Sequence, residues 1–556
     1  MPSRSTVLLV LALAMPAACR DSSGSADAGA DGIADGRYDG DGADGGGDGG
    51  DAAAPWRSAL YPEGWTPAWT DPEGRFLHDF SYAGYHLAEG DPADEPPGVR
   101  VSVLDFGADP DGQADSTAAL QAALDEAGQA GGGVVLVPEG LYRCDGLLAV
   151  DRSGVVLRGE GAERSRVFFT RDGDMDNLAS IGFYGSPASG PDLLLAEDAR
   201  ERSFEVSVWD RADLAPGDDV ELGAVITDDF IAEHGMTGTW QASAGQWRAF
   251  FRRTISSVDG SSAPYAIALD APVRYPLKVR DAASLRRVTG LISEVGVEDL
   301  GLANAVSQAG AEACSRAHVL AFIQAKDAWV RRVASFAPPV AEGDGHLQSG
   351  GLLVQQSKRV SVYDTVLQRA QNRGGGGNGY LFEIMQSSEV LVRDCQGLHG
   401  RHNFIQNWDF GTSGCVFLRV ESREGRAVSE LGSTTGLSEY HHSLAMANLV
   451  DGALSDDGWG AVNRRQESSG AGHTSTQNVF WSVSGGLLRS YQFGWGYVIG
   501  TRDVVVYTDP ADDLVGQLAG QHEGTEPLDW VEGLERGEWL RPVSLYEDQL
   551  ARRLGL

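Results

Sequence analysis

Short apolar strands recur at a nearly constant interval along the C-terminal half of the chain. They begin at Val330, Val360, Val390, Val416, Leu449, Val479 and Val504, in steps of 30, 30, 26, 33, 30 and 25 residues. A repeat of this length is typical of a solenoid, in which each turn buries its apolar face only against the neighbouring turns. The chain is therefore predicted to form a stack of strand-rich coils.

A different pattern precedes the repeat, at residues 101–144, where strand, loop, helix, glycine turn and strand follow one another. Asp115 or Ser116 can cap the predicted helix. Gly131 to Gly133 would end it, and the next four residues form a short apolar strand. One apolar stripe at helical spacing consists of Leu120, Ala123, Leu124 and Ala127. The pattern predicts a helix packed against the start of a sheet.

Three stretches of this region, "DFGADPDG", "GGGVVLVPEGLY" and "VVLRGEG", carry a family resemblance. Together they resemble the opening of the pectate-lyase-like superfamily, which includes rhamnogalacturonase-like and epimerase-like proteins. The resemblance covers about residues 101–170. It implies an all-β fold, a right-handed parallel β-helix with an N-terminal capping helix, and leaves the activity open.

This interpretation divides the chain into seven segments. A β-rich insertion interrupts the predicted coils, because residues 193–285 contain strand-turn-strand units without the long period. The segments are a signal peptide (1–19), an Asp/Gly-rich linker (20–55), an aromatic segment packed on the helix exterior (56–100), the N-terminal cap and first turns (101–192), the insertion (193–285), the main β-helix (286–510) and a C-terminal cap (511–556). In the last segment, Ser544 and Glu547 form a capping-box pattern that predicts a short helix over the open end of the stack. The aromatic segment has an alternative interpretation as a sugar-binding platform.

The N-terminus predicts export. Arg4 precedes an apolar run that is too short to span a bilayer, and small residues follow before Cys19. The Ala-Ala-Cys ending resembles a bacterial lipoprotein signal and implies lipidation of Cys19, with a lipid anchor at the cell surface or outer membrane. Simple secretion is the alternative, since Pro16 departs from the lipoprotein pattern. The linker is too poor in apolar residues to bury a core.

Charge and cysteine content limit the partners. The net charge is −35, and the body from residue 56 onward carries −29. This excess argues against nucleic acid and anionic membrane surfaces as partners. Residues 358–426, with nine Lys or Arg and seven Asp or Glu, form a relatively basic zone. No C-x-x-C occurs among the four later cysteines, so a zinc site is not expected. At most one disulfide is expected among them.

Polar residues able to carry chemistry concentrate between residues 399 and 473, over about three predicted turns. Because neighbouring coils stack at ~4.8 Å, such residues can converge on one face. The catalytic candidates are His402, His441, His473, Arg401, Arg464 and Glu439. The candidates for substrate binding are Asn403, His442, Trp408, Trp459 and Asp409.

Two reactions on a polysaccharide fit these residue types, and a non-catalytic role is also open. In β-elimination on a uronic acid, a histidine removes the C5 proton and an arginine neutralises the carboxylate. In glycoside hydrolysis, two carboxylates act as a pair. The excess of His and Arg over paired carboxylates favours the lyase. The third interpretation is a glycan-binding or adhesive scaffold, and the chain is expected to be a monomer or a homotrimer.

Several of these residues also have purely structural interpretations. Ca²⁺ is the one cofactor considered, with Asp456 and Asp457 as the candidate ligands, although Asp-Asp-Gly is also a common turn. Asn403 and Asn478 can form asparagine ladders between coils. His473 takes a slot that is apolar in other turns, so a regular strand would bury it. Because Gly470 and Gly472 can bulge that strand, we expect His473 to face outward.

Overall fold

The computed structural model describes residues 54–425, 436–509 and 527–556. The predicted signal peptide, Cys19, nearly all of the linker and residues 511–526 of the predicted C-terminal cap lie outside these ranges. Three long parallel sheets run along the described chain, each built from one strand per coil. The architecture is the predicted right-handed parallel β-helix, all-β in class.

The bounds of the strands follow each sheet in coil order. The first sheet contains Val99–Ser102, Gly133–Leu136, Val155–Arg158, Ile292–Glu298, Ala325–Arg331, Lys358–Tyr363, Leu391–Arg393, Val416–Leu418, Leu449–Asp451, Val479–Gly485, Tyr497–Arg502 and Trp530–Glu532. The second contains Gly140–Cys144, Ser165–Phe169, Gly301–Ala303, Ala334–Ser335, Val366–Gln368, Gln396–Leu398, Glu421–Arg423 and Leu454–Ser455. The third contains Leu148–Val150, Ala179–Tyr184, His318–Ile323, Gly350–Gln355, Tyr380–Met385, His402–Asn407, Ser438–Tyr440, Trp459–Ala461, Leu487–Ser490 and Val505–Tyr507.

Stacked side chains fill the interior of the coils. The rings of Phe382 and Phe404 lie 4.8 Å apart and nearly parallel, and those of Phe183 and Phe322 lie 4.7 Å apart. These separations match the spacing of adjacent strands, so each coil places an equivalent residue above the last. Asn448 and Asn478 form an amide ladder in the same way, with Nδ2 of Asn448 donating to Oδ1 of Asn478 at 3.0 Å.

Alignment of the turns by their first valine was wrong in register. Val330 pairs with Val362, and Val360 pairs with Ala328. Val504 immediately precedes the third-sheet strand Val505–Tyr507, whereas most of the other strand starts belong to the first sheet. Loops of unequal length separate the three strands of each coil, so a constant period locates coils without fixing which strand belongs to which sheet.

The predicted N-terminal helix spans Thr117–Gln129, and its apolar stripe is buried as expected. The carboxylate of Asp115 accepts a hydrogen bond from the Thr117 amide at 2.9 Å. The other described α-helices are short, except for the last: Asp228–Glu233, Gln308–Ala313, Glu467–Gly470 and Leu545–Leu554. Single 3₁₀ turns occur at Tyr85–Ala88, Val103–Phe106, Val279–Asp281 and Gly537–Trp539.

The insertion forms its own antiparallel sheet. Its strands are Ala188–Ser189, Leu193–Leu194, Glu205–Val208, Asp219–Val225, Trp247–Asp259, Tyr265–Leu269 and Ser284–Thr289. The insertion shares one apolar cluster with Phe410, Leu444 and Met446 of the β-helix. Outside the three long sheets, a two-stranded pair, Ala445–Met446 and Ser475–Thr476, adjoins this contact.

The N-terminal aromatic segment and the last helix pack together on the outer face of the first sheet. Leu60, Tyr61, Trp65 and Tyr546 belong to one buried cluster with residues of that sheet. Ser544 caps the helix by accepting from the Glu547 amide at 3.1 Å, as the sequence predicted. The expected position was wrong, because this helix lies along the side of the coils rather than over their open end.

Two further observations concern the described chain as a whole. Cys144, Cys314, Cys395 and Cys415 are buried and free, so the one disulfide considered does not form among them. None of the described helices combines the length and apolar character that crossing a membrane would require.

Candidate functional site

The candidate site lies on the outer face of the third sheet, on neighbouring coils. Glu439 pairs with Ile405 of the preceding strand and faces outward, because its neighbour Tyr440 belongs to the interior core. The alternation of inward and outward side chains along this strand breaks at Asn403, which faces the interior together with Phe404. His402 therefore shares the outer face with Glu439. The tertiary fold thus brings together residues 37 positions apart.

The histidines enclose the Glu439 carboxylate. His402 Nδ1 donates to the carbonyl oxygen of Leu437 at 2.5 Å, so in the neutral ring Nε2 carries the lone pair. That Nε2 lies 3.3 Å from Glu439 Oε1, is buried, and makes no hydrogen bond among the described residues. Nδ1 of His441 is hydrogen-bonded to the same Oε1.

Arg464 completes the cluster from a loop that follows the next strand of the sheet. Its Nη1 lies 2.9 Å from Nε2 of His441 and 3.6 Å from Oε1 of Glu439. Arg401 directly precedes His402, and its Nη1 donates to the Gly374 carbonyl at 2.9 Å. The side chains of Glu439 and Arg464 keep 11% and 12% exposure, whereas that of His402 keeps 2%. Solvent therefore reaches the cluster mainly at its carboxylate and guanidinium.

Burial and the neighbouring charges set the ionisation of this cluster. Desolvation lowers the pKa of His402 to about 4 and that of His441 to about 3; Arg464 reinforces the shift at His441, and the Glu439 carboxylate opposes both. Burial by itself would raise the pKa of Glu439, but His402, Arg464 and His441 together lower it well below its usual range. Both imidazole rings are therefore uncharged near neutral pH, beside an ionised carboxylate.

Sequence reasoning missed a second group on the same face. Nε2 of His318 lies 2.9 Å from Oε2 of Glu383, while Arg316 and Asn407 both donate to Oε1 at 2.8 Å. Burial opposes ionisation, but Arg316 and His318 lower the pKa of Glu383 to about 2. Since Glu383 and Glu439 flank Ile405 in register, their Cα atoms lie about 10 Å apart.

Tyr380 stands between the two groups and was also missed. Its ring centroid lies 5.3 Å from that of His402 and 6.1 Å from that of His441. Burial raises the pKa of its hydroxyl to about 12, so the group is protonated at neutral pH. Strict alternation in "YLFEIM" would put Tyr380 and Glu383 on opposite faces; they share the outer face because Leu381 and Phe382 both belong to the interior core.

His473 is not part of this cluster. It is buried, 5% exposed, where the β-helix meets the insertion near His234, with its ring centroid 5.2 Å from that of Phe493. Desolvation and neighbouring His234 lower its pKa to about 3. The alignment of turns had matched His473 with apolar residues such as Val354 and Val498. Those two valines lie in the third and the first sheet, whereas His473 precedes the short strand Ser475–Thr476, so the positions are not equivalent. The expectation of an outward, site-facing His473 was therefore wrong.

Two candidates for substrate binding are interior residues. Trp459 is 1% exposed and belongs to the core of the coils. The Nδ2 group of Asn403 donates to Ser422 Oγ, the Arg423 carbonyl and Asp457 Oδ2, within the corner between the second and third sheets. Asn403 is therefore a structural residue, but it bonds to Ser422 and Asp457 and does not form the asparagine ladder that was considered for it.

Three other candidates make contacts within the protein, and one of them, Asp409, binds the insertion. Asp409 forms an ion pair with Arg248 at 2.5 Å and accepts from Ser243 at 3.0 Å, both in the insertion. The ring of His442 packs on that of half-buried Trp408 at 4.7 Å, and its Nε2 bonds to the Ser468 carbonyl. These contacts hold the wall beside the cluster, and Asp409 is unavailable to a substrate.

The two residues suggested for calcium bind partners within the protein. Asp456 is paired with Arg423, whereas Asp457 is directed toward Asn403 and the Gly425 amide. Ligand atoms of His402, Glu439 and His441 lie within 4.8 Å of one another, but two nitrogens and one carboxylate do not suit Ca²⁺, which prefers oxygen ligands. The Arg464 guanidinium already supplies positive charge at this position.

The basic zone also has a structural explanation. Several of its cations form ion pairs that hold neighbouring coils or the insertion: Lys358 with Asp219, Arg359 with Asp270 and Asp327, Arg419 with Asp394, and Arg423 with Asp456. The zone as a whole is therefore not a surface of unpaired arginines.

Comparison with known proteins supports the family assignment over part of the chain. Residues 100–196 match the family described as rhamnogalacturonase A/epimerase, pectate lyase-like. The resemblance to this superfamily is thereby confirmed. Mannuronan C5-epimerase AlgE5 of Azotobacter vinelandii is 36% identical over 132 residues, which are 22% of this chain and 13% of that protein. Alginate lyase 7 of the same organism is 56% identical over 70 residues, 11% of this chain and 8% of that protein.

The chain thus spans only a small part of the length of these relatives. Among solved structures, the tailspike gp61 of Pseudomonas phage phi297 is similar, with a TM-score of 0.38 and 12% identity over 73% of this chain and 74% of that one. Iota-carrageenase in complex with iota-carrageenan fragments is also similar, with a TM-score of 0.30 and 11% identity over 80% of this chain and 64% of that one.

Proposed function

We propose that this protein modifies a polysaccharide containing uronic acid, removing the C5 proton of a sugar and acting as a lyase by β-elimination. The observation that carries the proposal is the Nε2 of His402, which makes no hydrogen bond among the described residues and is buried beside Glu439 on a face that also bears Arg464. A neutral imidazole with a directed lone pair is a general base.

The proposed elimination assigns one role to each group. Nε2 of His402 takes the C5 proton, and the C–H electrons form the C4=C5 double bond as the bond from C4 to the glycosidic oxygen breaks. The protonated hydroxyl of Tyr380 donates its proton to the leaving oxygen. Arg464, aided by Arg401, neutralises the sugar carboxylate, which stabilises the charge that develops at C5.

The carboxylates favour the lyase over a hydrolase. Hydrolysis needs a general acid whose pKa is raised, whereas neighbouring groups lower the pKa of both carboxyls: Arg316 and His318 that of Glu383, and His402 and Arg464 that of Glu439. Burial raises the pKa of Asp457 to about 6, but this residue is directed into the corner with Asn403. The outer face therefore presents no acid and base pair among the described carboxyls.

The names of the relatives also favour a substrate that contains uronic acid. Mannuronan C5-epimerase and alginate lyase are names of activities on polyuronates. Removal of the C5 proton is common to elimination and C5 epimerisation, so epimerisation is the second candidate outcome of the proposed site. In that case a proton returns to C5 from the opposite face and no bond of the chain is cut.

The test is a panel of mannuronan, polygalacturonate and a neutral glucan incubated with the full-length protein. We expect unsaturated ends on a polyuronate, seen by ultraviolet absorbance, and none with His402→Gln. Changed C5 configuration by NMR, without new ends, would indicate the epimerase. Reducing ends without unsaturation would contradict the proposal and favour the hydrolase, and binding alone would favour the scaffold. A parallel series with a chelator and added Ca²⁺ tests the calcium prediction.

Export, anchoring and oligomeric state belong to the proposal as well. We propose that Cys19 is acylated and holds the protein at a bacterial surface. Incorporation of a labelled fatty acid, lost in Cys19→Ser, tests the anchor, and secretion of unlabelled protein would contradict it. Sedimentation of the protein without residues 1–19 separates monomer from homotrimer.

A further inference from the structure

A loop at residues 463–473 connects the candidate site with the insertion. Asn463 and His473 close it as an antiparallel bridge, and the amide of Arg464 donates to the Gly472 carbonyl at 2.8 Å. Arg464 extends from one side of the loop toward His441 and Glu439. The position of this guanidinium therefore depends on how the loop is held.

The insertion holds the opposite side of the loop. Trp240 Nε1 donates to the carbonyl of Ala471 at 3.0 Å, and this indole is 2% exposed against Phe410 and Phe230. Nε2 of Gln466 donates to the Gly238 carbonyl at 3.1 Å and to Thr239 Oγ1 at 3.0 Å. Residues 238–240 of the insertion thus bind two separate points of the loop.

The two glycines of the loop reflect the same contact. A Cβ at Gly470 would lie 2.1 Å from the Thr239 carbonyl oxygen, and one at Gly472 would lie 2.3 Å from Nε1 of Trp240. Both residues also have positive φ, +88° and +61°. A side chain at either position would push the loop away from the insertion, so the close approach requires glycine.

We propose that the insertion positions Arg464 for the reaction, and that Trp240 is the positioning residue, acting through the Ala471 carbonyl. The inference rests on the proposed function for the role of Arg464. Trp240 touches no residue of the cluster directly; it fixes the backbone that carries the guanidinium. The insertion would then hold the loop that carries Arg464, in addition to forming its own antiparallel core.

Trp240→Phe tests the proposal in the full-length protein, since it keeps an aromatic ring and removes the indole donor. The matched control is Trp247→Phe, whose Nε1 donates to Ser284 Oγ at 2.8 Å within the insertion. On mannuronan, we expect kcat to fall about tenfold in Trp240→Phe with KM changed less than threefold, and no change in the control. Gln466→Leu, an exposed position, should reproduce the direction of the effect without disturbing the core.

A double-mutant cycle separates positioning from general damage. In an Arg464→Ala background, Trp240→Phe should lower kcat less than twofold further, because the group it positions is gone. Equal losses in both backgrounds, or an unaffected kcat in the single variant, would overturn the proposal. The acidic limb of the pH profile should also move to higher pH in Trp240→Phe, since Arg464 contributes to lowering the pKa of His402, the proposed base.

Amide hydrogen exchange tests the contact between Trp240 and the loop without depending on the proposed reaction. Amides of residues 463–473 should exchange at least tenfold faster in Trp240→Phe than in Trp247→Phe. If exchange increases while Arg464→Ala retains full activity, the positioning contact stands and the assigned reaction fails. If exchange is unchanged, Trp240 does not hold the loop and the inference fails whatever the reaction is.

Discussion

Nε2 of His402 lies 3.3 Å from Oε1 of Glu439, and the Leu437 carbonyl holds the ring with its lone pair directed at that carboxylate. The proposed base therefore depends on one tautomer, fixed by a backbone acceptor. Replacement by glutamine, which has no comparable basic nitrogen, should lower kcat by about 10²–10⁴-fold.

The control for this variant is His399→Gln, a half-buried surface histidine paired with Glu424. Initial rates on mannuronan and thermal unfolding of both variants decide the outcome. Activity within threefold of the wild type in His402→Gln would remove this residue from the reaction.

The Glu439 carboxylate raises the pKa of both histidines against the effect of burial. In Glu439→Gln we therefore expect the pKa of His402 to fall below its value of about 4, and the acidic limb of the activity profile to move to lower pH. Histidine Cε1 resonances followed by NMR against pH measure the shift directly. Glu424→Gln serves as the control, and an upward shift in Glu439→Gln would contradict the electrostatic account.

Glu389 joins the β-helix to the insertion through two buried arginines, Arg253 at 3.2 Å and Arg274 at 2.9 Å. Glu389→Ala would leave both cations uncompensated in the interior, at a cost of about 3–5 kcal/mol in the free energy of unfolding. Asp344→Ala, which removes the exposed partner of Arg369, should cost less than about 1 kcal/mol. Urea unfolding compares the two, and equal stabilities would show that the pair contributes nothing.

Buried carboxyls and histidines should give a stability maximum near pH 6.5. Burial raises the pKa of Asp451 to about 7 and that of Asp529 to about 8, so the folded state binds protons that the unfolded state releases, and stability falls as pH rises toward 8. Burial lowers the pKa of histidines such as His78 and His442 to about 3–4, so stability is lost as pH falls from 6.5 toward those values.

The alkaline side of this profile can be tested with Asp529→Asn. The amide mimics the protonated carboxyl, which Ser490 Oγ contacts at 2.5 Å. Between pH 6.5 and 8.5 the variant should lose roughly 2 kcal/mol less stability than the wild type. Urea titrations at the two pH values measure the difference, and parallel profiles would show that Asp529 does not titrate in this range.

The sequence alone predicted the coil architecture, the N-terminal helix with its buried stripe, and the cap of the last helix. Each depends on local signals: a repeat period, a 3.6-residue apolar spacing, and a serine followed by glutamate three residues later. The sequence also placed His402, Glu439, His441 and Arg464 in one candidate set, because residues on adjacent coils can converge.

The tertiary structure decided which side chains face outward. Trp459, Asn403 and His473 have residue types suited to a site, yet the coil corners and the insertion bury them. Tyr380 and Glu383 escaped notice because regular alternation puts residues three apart on opposite faces, and only the inward packing of both Leu381 and Phe382 turns the two outward. In a β-strand a shift of one residue reverses the face of every side chain, and only the packing of neighbouring coils and the insertion fixes that register.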